Sequence, residues 1–219
     1  MPGLIKKIIF TAVFSLIAAF SLSSSAKAAE ERNLPAAPAV EKATFAGGCF
    51  WCTESLFDKF PGVLSTTSGY TGGGVKNPTY EEVSSGTTGH AEALEVLFDP
   101  AKVSYAQLLD RFFRNIDPTA QDRQFNDTGT QYRTAVFYHN EEQMRLALEA
   151  KKELEDSNKF DKPIVTEISA AADFFAAEDY HQDYHEKNAV RYNLYNFLSG
   201  RDKFLSSVWG DEHQPAKSE

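Results

Sequence analysis

The sequence predicts a mixed α+β single domain, a central mixed sheet flanked by helices. Two observations lead there: strand-like and helix-like runs intermix without the regular alternation of a doubly wound fold, and an aromatic content of 13% can fill one sizeable core. A third bounds the domain. Lys6 and Lys7, the apolar run Ile8 to Leu22 and the small-x-small site Ala26-Lys27-Ala28 read as a secretory leader over residues 1–28. The run is shorter than the roughly 20 residues of a membrane-spanning helix. Its removal would leave about 190 residues, one compact domain.

Residues 29–41, with two prolines and no periodicity, read as a linker. A domain over 42–210 and a polar tail over 211–219 follow. Thr44 to Ala46 is strand-like and stops at Gly47-Gly48, and Phe50 to Phe57 is helical as far as Pro61-Gly62. Gly62 to Tyr70 and Ala91 to Phe98 read as strands. Ser104 with Gln107 forms a capping box ahead of an apolar stripe of Tyr105, Leu108, Leu109, Phe112, Phe113 and Ile116. The polar stretch Asp117 to Gln131 is longer than an ordinary connection, a length that often marks function. Tyr132 to Tyr138 reads as a strand, and Glu141 to Leu154 as a helix with Met144, Ala147, Leu148 and Leu154 inward. Ile164 to Ile168 follows as a strand, and Glu178 to Trp209 as two helical stretches.

The formal charge is -9, moving to -12 once Lys6, Lys7 and Lys27 are lost with the leader. No basic run could grip a phosphate backbone, so nucleic acid is excluded as a partner. Cys49 and Cys52 are the only cysteines. A Cys-x-x-Cys pair closes too short a loop to be a useful staple, so redox or metal chemistry is the first reading. The strand, glycine turn and helix place Cys49 at a helix N-terminus, where unpaired N–H groups favour thiolate. Cys49 is then the better nucleophile and Cys52 the resolving thiol. The plainer alternative is two small buried apolar residues.

Strand alternation puts Glu92 on the face of Leu94, Val96 and Phe98, and Glu95 on the polar face. A carboxyl held among apolar groups has its pKa raised and can serve as a general acid; a strand-end Glu reaching water is the equal alternative. Tyr80 and Tyr132 can donate hydrogen bonds to a developing oxyanion, or be core residues with wet tips.

Gly48-Cys49-Phe50-Trp51, Gly69-Tyr70-Thr71-Gly72-Gly73, Asn77-Pro78-Thr79-Tyr80, Gly89-His90-Ala91-Glu92-Ala93, Asn126 to Arg133 and Glu178-Asp179-Tyr180-His181-Gln182 occur in order. Together they resemble the A-type peptide methionine sulfoxide reductases from about Lys42 to Gly210. The resemblance implies a ferredoxin-like core and no bound cofactor. It implies Cys49 as the nucleophile on the sulfoxide sulfur, Phe50 and Trp51 as the wall around the S-methyl group, and Glu92 as the acid. Tyr80 and Tyr132 would hydrogen-bond the oxygen, and Asp127 would help place the substrate. A Cys49 sulfenic acid would condense with Cys52, and a thioredoxin-like dithiol would restore both. The substrate would be the S epimer of methionine sulfoxide in oxidised proteins or peptides. Many family members carry resolving cysteines in a C-terminal tail; this chain has none beyond Cys52.

Two other classes fit parts of the pattern. A thiol-disulfide oxidoreductase explains Cys-x-x-Cys but not Glu92 or the Asn126 to Arg133 segment. A metal module could use Cys49, Cys52, His181 and His185, the histidines at i, i+4, although packing accounts for them as well and no metal is expected. The leader implies an exported protein, periplasmic or secreted, with no stable membrane insertion after cleavage.

Overall fold

The computed structural model describes residues 40–210. The expected leader, the expected linker up to residue 39 and the expected tail over 211–219 lie outside the described residues. Strand β1 (Glu41–Gly47) takes in Glu41, the last residue of the expected linker. Helix α1 (Phe50–Phe57), β2 (Val63–Thr71) and a short α2 (Tyr80–Ser84) follow. Next come β3 (Ala91–Phe98), α3 (Tyr105–Phe113), the two-residue strands β4 (Arg123–Gln124) and β5 (Asp127–Thr128), and β6 (Thr134–Tyr138). The chain continues through α4 (Glu141–Asp156), β7 (Glu167–Ala170), β8 (Phe175–Ala176), α5 (Tyr184–Lys187), α6 (Ala189–Leu198) and α7 (Arg201–Trp209).

Six strands form one sheet in the order β7-β6-β1-β3-β2-β8. β7 joins β6 in parallel and the other pairings are antiparallel, so the sheet is mixed. Its centre, β6-β1-β3-β2 with α1 between β1 and β2 and α3 between β3 and β6, is the ferredoxin-like arrangement. α1, α3, α4 and α7 contribute to the main core. Phe45 on β1 stacks between Phe57 of α1 at 5.3 Å and Phe112 of α3 at 5.0 Å. All six residues of the expected α3 stripe are buried. The Ser104–Gln107 capping box closes as expected, Gln107 N donating to Ser104 Oγ at 3.2 Å and Ser104 N to Gln107 Oε1 at 2.9 Å. Such a cap contributes about 1 kcal/mol.

Several expectations are corrected. Tyr132 ends a 3₁₀ turn, Thr130–Tyr132, and lies outside the strand, which begins at Thr134. On α4, Leu148 is exposed and Met144 half-buried, because Gln143, Ala147 and Leu154 take the core face; Gln143 faces inward since its amide donates to Lys42 O at 2.7 Å. The strand expected at Ile164 starts only at Glu167, because Val165 N is taken by Pro118 O at 2.8 Å instead of a strand neighbour. The C-terminal region holds three helices, interrupted at Asn188 and at left-handed Gly200. α2 went unread, although Thr79 and Glu82 form a capping box that was legible locally.

Candidate active site

β1 delivers the chain to the Gly47-Gly48 turn, and Cys49 is the N-cap of α1. Gly48 has φ +82, and a Cβ there would fall 2.4 Å from Gln124 Cβ. Only glycine lets the turn pass this close to the long connection. Gln124 is fully buried and organises that connection: its Oε1 accepts from Asp117 N at 2.9 Å and its Nε2 donates to Asp117 O at 2.6 Å. The connection is therefore built against the thiol turn, with β4 and β5 presenting Asp127.

Glu92 lies on β3 opposite Tyr70 of β2 and is only 2% exposed, so it is not a strand-end residue reaching water. Its Oε2 accepts from Phe50 N at 3.0 Å, the first amide of α1. Burial pushes its carboxyl up to about 8, against the smaller opposing effect of that N–H. It is an acid in reserve beside Cys49 at neutral pH.

Tyr80, Tyr132, Asp127 and Glu92 feel one another electrostatically, and both tyrosines also feel Cys49. Burial raises Tyr80 to about 12 and moves Tyr132 upward as well, so both hydroxyls hold their protons and can donate. Asp127 accepts from Tyr195 Oη. Burial raises its carboxyl, while that bond and Arg201 pull it back.

Phe50 is buried and Trp51 half-buried beside it, ring centroids 6.3 Å apart. Trp51 stacks on Tyr184 at 3.8 Å and donates from Nε1 to His181 Nδ1 at 3.1 Å. Burial lowers the His181 pKa, consistent with a neutral ring that accepts at Nδ1. Just before it, Glu178 accepts from Tyr70 Oη at 2.8 Å and from Tyr80 N at 2.9 Å. Gln182 exchanges two 2.9 Å bonds with the Ser68 backbone at the end of β2. The Glu178 to Gln182 segment is thus a clasp joining β2, α2 and the Trp51 wall. A second pair of motifs meets where Gly73 N donates to His90 Nδ1 at 3.1 Å.

Both cysteines are free thiols and 6% exposed. The two thiols feel each other directly. Burial pushes the Cys49 thiol well up, reinforced by Cys52 and Glu92. Cys52 is lowered to about 7, chiefly by its hydrogen bond with Cys49 and then by Arg201 and Tyr192, against its own burial. Cys49 lies near a carboxyl in a dry site, whereas Cys52 faces a cation.

The structure gathers the expected Cys49, Phe50, Trp51, Cys52, Tyr80, Glu92, Asp127 and Tyr132 into one site. Sequence reasoning missed Tyr192, Tyr195 and Asn196 on α6, Arg201 on α7, and His181 as a partner of Trp51. Cys52 Sγ lies 3.7 Å from Asn196 Oδ1. Only the general density of Tyr and Asn after residue 178 hinted at them. The thiols and histidines do not assemble as a metal set. Among the described residues, the one cluster of three potential ligands within 4.8 Å is Asp58, His185 and Glu186.

Two thiols at a helix start, beside a buried carboxyl of raised pKa and two protonated tyrosines, define a thiol-dependent oxidoreductase. The peptide methionine sulfoxide reductase family model matches residues 41–213, and the chain belongs to that family. It is 54% identical over 173 residues to the peptide methionine sulfoxide reductase MsrA of Bacillus licheniformis, covering 79% of this chain and 96% of that one. It is 54% identical over 170 residues to the MsrA/MsrB protein of Vibrio cholerae, covering 78% of this chain but only 45% of that longer relative. Among solved structures, methionine sulfoxide reductase A of Corynebacterium diphtheriae superposes with a TM-score of 0.63 at 36% identity, over 71% of this chain and 78% of that one.

Proposed function

We propose that the chain reduces S-epimer methionine sulfoxide in oxidised proteins and peptides, using Cys49 as nucleophile and Glu92 as general acid. The observation that carries this reading is the buried Glu92 carboxyl, held by the first amide of the helix that Cys49 caps. The substrate sulfur meets Cys49, its methyl group lies against Phe50 and Trp51, and Tyr80 and Tyr132 donate to its oxygen. Asp127, fixed by Tyr195, helps place the substrate.

Cys49 bonds to the sulfoxide sulfur and gives up its proton, which replaces the one that Glu92 donates to the oxygen. Glu92 protonates the oxygen, which passes to Cys49 as a sulfenic acid while the thioether leaves. Cys52 then attacks the sulfenic sulfur and water departs, closing the Cys49–Cys52 disulfide. A thioredoxin-like dithiol reduces it, and no bound cofactor enters the cycle.

The leader-like segment over 1–28 supports export to the periplasm or beyond; N-terminal sequencing of the mature chain checks for a start at Ala29. The catalytic reading is checked by sulfoxide peptide reduction with dithiothreitol. Cys49→Ser is expected to be inactive. Cys52→Ser is expected to complete one turnover but to lose recycling by a protein dithiol. No turnover by the unaltered chain would sink the reading in favour of disulfide exchange.

A further inference from the structure

Cys52 also borders a space of its own. Between α1, α3, α6 and α7 lies a cavity of about 320 Å³ whose wall includes Cys52, Ser55, Arg111, Asn196, Arg201 and Ser206. Cys49, Tyr80, Glu92 and Tyr132 do not line it, so it adjoins the site only through Cys52 and its neighbours Tyr192, Asn196 and Arg201. Its walls carry two arginines against one carboxylate, Asp202. Arg201 is 9% exposed and donates to Asn115 O, and its Nε is buried with no acceptor. Arg111 is anchored through Nε to Leu56 O at 2.6 Å, and burial depresses its pKa, the sign of a cation poor in counter-charge. Two guanidinium groups facing one carboxylate suit an added carboxylate.

Thiolate attack on a disulfide proceeds in line, entering opposite the leaving sulfur. A thiol in this cavity meets Cys52 without passing Cys49. A cysteine fixed on the surface of a large protein reaches Cys52, 6% exposed behind α6 and α7, less readily than a small molecule does.

We propose that this cavity binds a small carboxylate-bearing monothiol that reduces the Cys49–Cys52 disulfide at Cys52, a reductant additional to the protein dithiol. The inference rests on the proposed formation of that disulfide. The first thiolate bonds to Cys52 Sγ, the Cys49–Cys52 bond breaks, and Cys49 leaves with the electron pair and takes up a proton. A second thiolate attacks the small-molecule sulfur of the mixed disulfide and releases Cys52 as thiolate. Two monothiols become one disulfide, and the enzyme regains two thiols. Arg201, which lines the cavity beside Cys52, favours its departure as thiolate in the second step.

The test uses the full chain oxidised to the disulfide, with 3-mercaptopropionate and uncharged 2-mercaptoethanol compared at equal thiolate concentration. Reduction by mercaptopropionate is expected to saturate and to exceed mercaptoethanol by about tenfold, the scale of one charge-assisted contact. Arg111→Met should abolish that preference. Should it fold poorly, Ser206→Glu, which adds an anion at an exposed wall position, should abolish it too. Equal, unsaturable rates for the two thiols, or a preference that survives Ser206→Glu, overturns the proposal, as does reduction by a protein dithiol alone. Single-turnover sulfoxide reduction by the unaltered chain tests the underlying reading separately. A chain that reduces sulfoxide but never forms the disulfide removes the basis of this inference while leaving the first half of the cycle standing.

Discussion

The β1–α1–β3 region and the C-terminal helices both reach the thiols, yet they are built differently. Phe45, Leu94 and Phe57 are fully buried, and Glu92, two residues before Leu94 on the same strand, is 2% exposed. α6 has no buried residue, and Val190 and Phe197 are 87% and 78% exposed. It holds its place through Tyr195 to Asp127, Tyr192 to Ser55 at 2.6 Å and Asn196 to Cys52. Cys49 and Glu92 are therefore held by a packed core. The setting of Cys52 is owed to a helix held by polar contacts, so changes in the two regions should fail in different ways.

The largest effect is expected from Glu92→Gln, with sulfoxide reduction falling by about 10²–10⁴-fold, the usual share of a general acid. The unaltered enzyme should lose activity as pH rises through about 8, where Glu92 ionises, and this limb should be absent in the variant. Stability carries the same signature. The folded carboxyl keeps a proton that the unfolded chain releases near its ordinary 4.5, so this contribution is full below that value and is lost as pH rises to about 8. Urea midpoints at pH 5 and pH 8 should converge in Glu92→Gln relative to the unaltered chain.

Tyr195→Phe probes the other region. It removes the hydrogen bond to Asp127 and one that lowers the Cys49 pKa, so single-turnover rates should fall by about tenfold. Thiol absorbance titration should show Cys49 shifted further up. A fall as large as that of Glu92→Gln would erase the distinction between the regions.

Smaller effects concern stability. Glu54 is fully buried with neither carboxylate oxygen hydrogen-bonded, and His185 Nδ1 stands 3.7 Å away as its counter-charge. His185→Ala should cost about 2 kcal/mol, discounted from a fully buried pair because His185 keeps some solvent contact. Glu54→Gln should recover part of it. The His185 pKa is raised first by its close approach to the Glu54 carboxylate, so its contribution is present below the unfolded value and is lost as pH rises through the folded one. Unfolding at pH 6 and pH 9 should show that slope, and His185→Ala should flatten it. Phe197→Ser, on the exposed side of α6, should change unfolding free energy by less than about 0.5 kcal/mol.

The parts of the site legible in the sequence depend on short-range pattern. α1 was legible from Gly47-Gly48 to Pro61-Gly62 because its signals are local, and Glu92 stood out because a carboxylate interrupts an apolar alternation. Leu148 was misread because helical spacing alone does not reveal that Gln143 reaches Lys42 O and rotates the buried face. Tyr195, Asn196 and Arg201 were missed because nothing near them in sequence indicates a thiol about 150 residues earlier.

The chain's own order of residues determined the strand, glycine turn and helix that present Cys49, the capped α3 stripe and the apolar setting of Glu92, since periodicity and turn chemistry act over a few residues. Tertiary structure alone decided the electrostatic balance around the two thiols. That balance depends on Glu92 crossing from β3 to the start of α1 and on Arg201 arriving from α7, and charges act through space rather than along the chain.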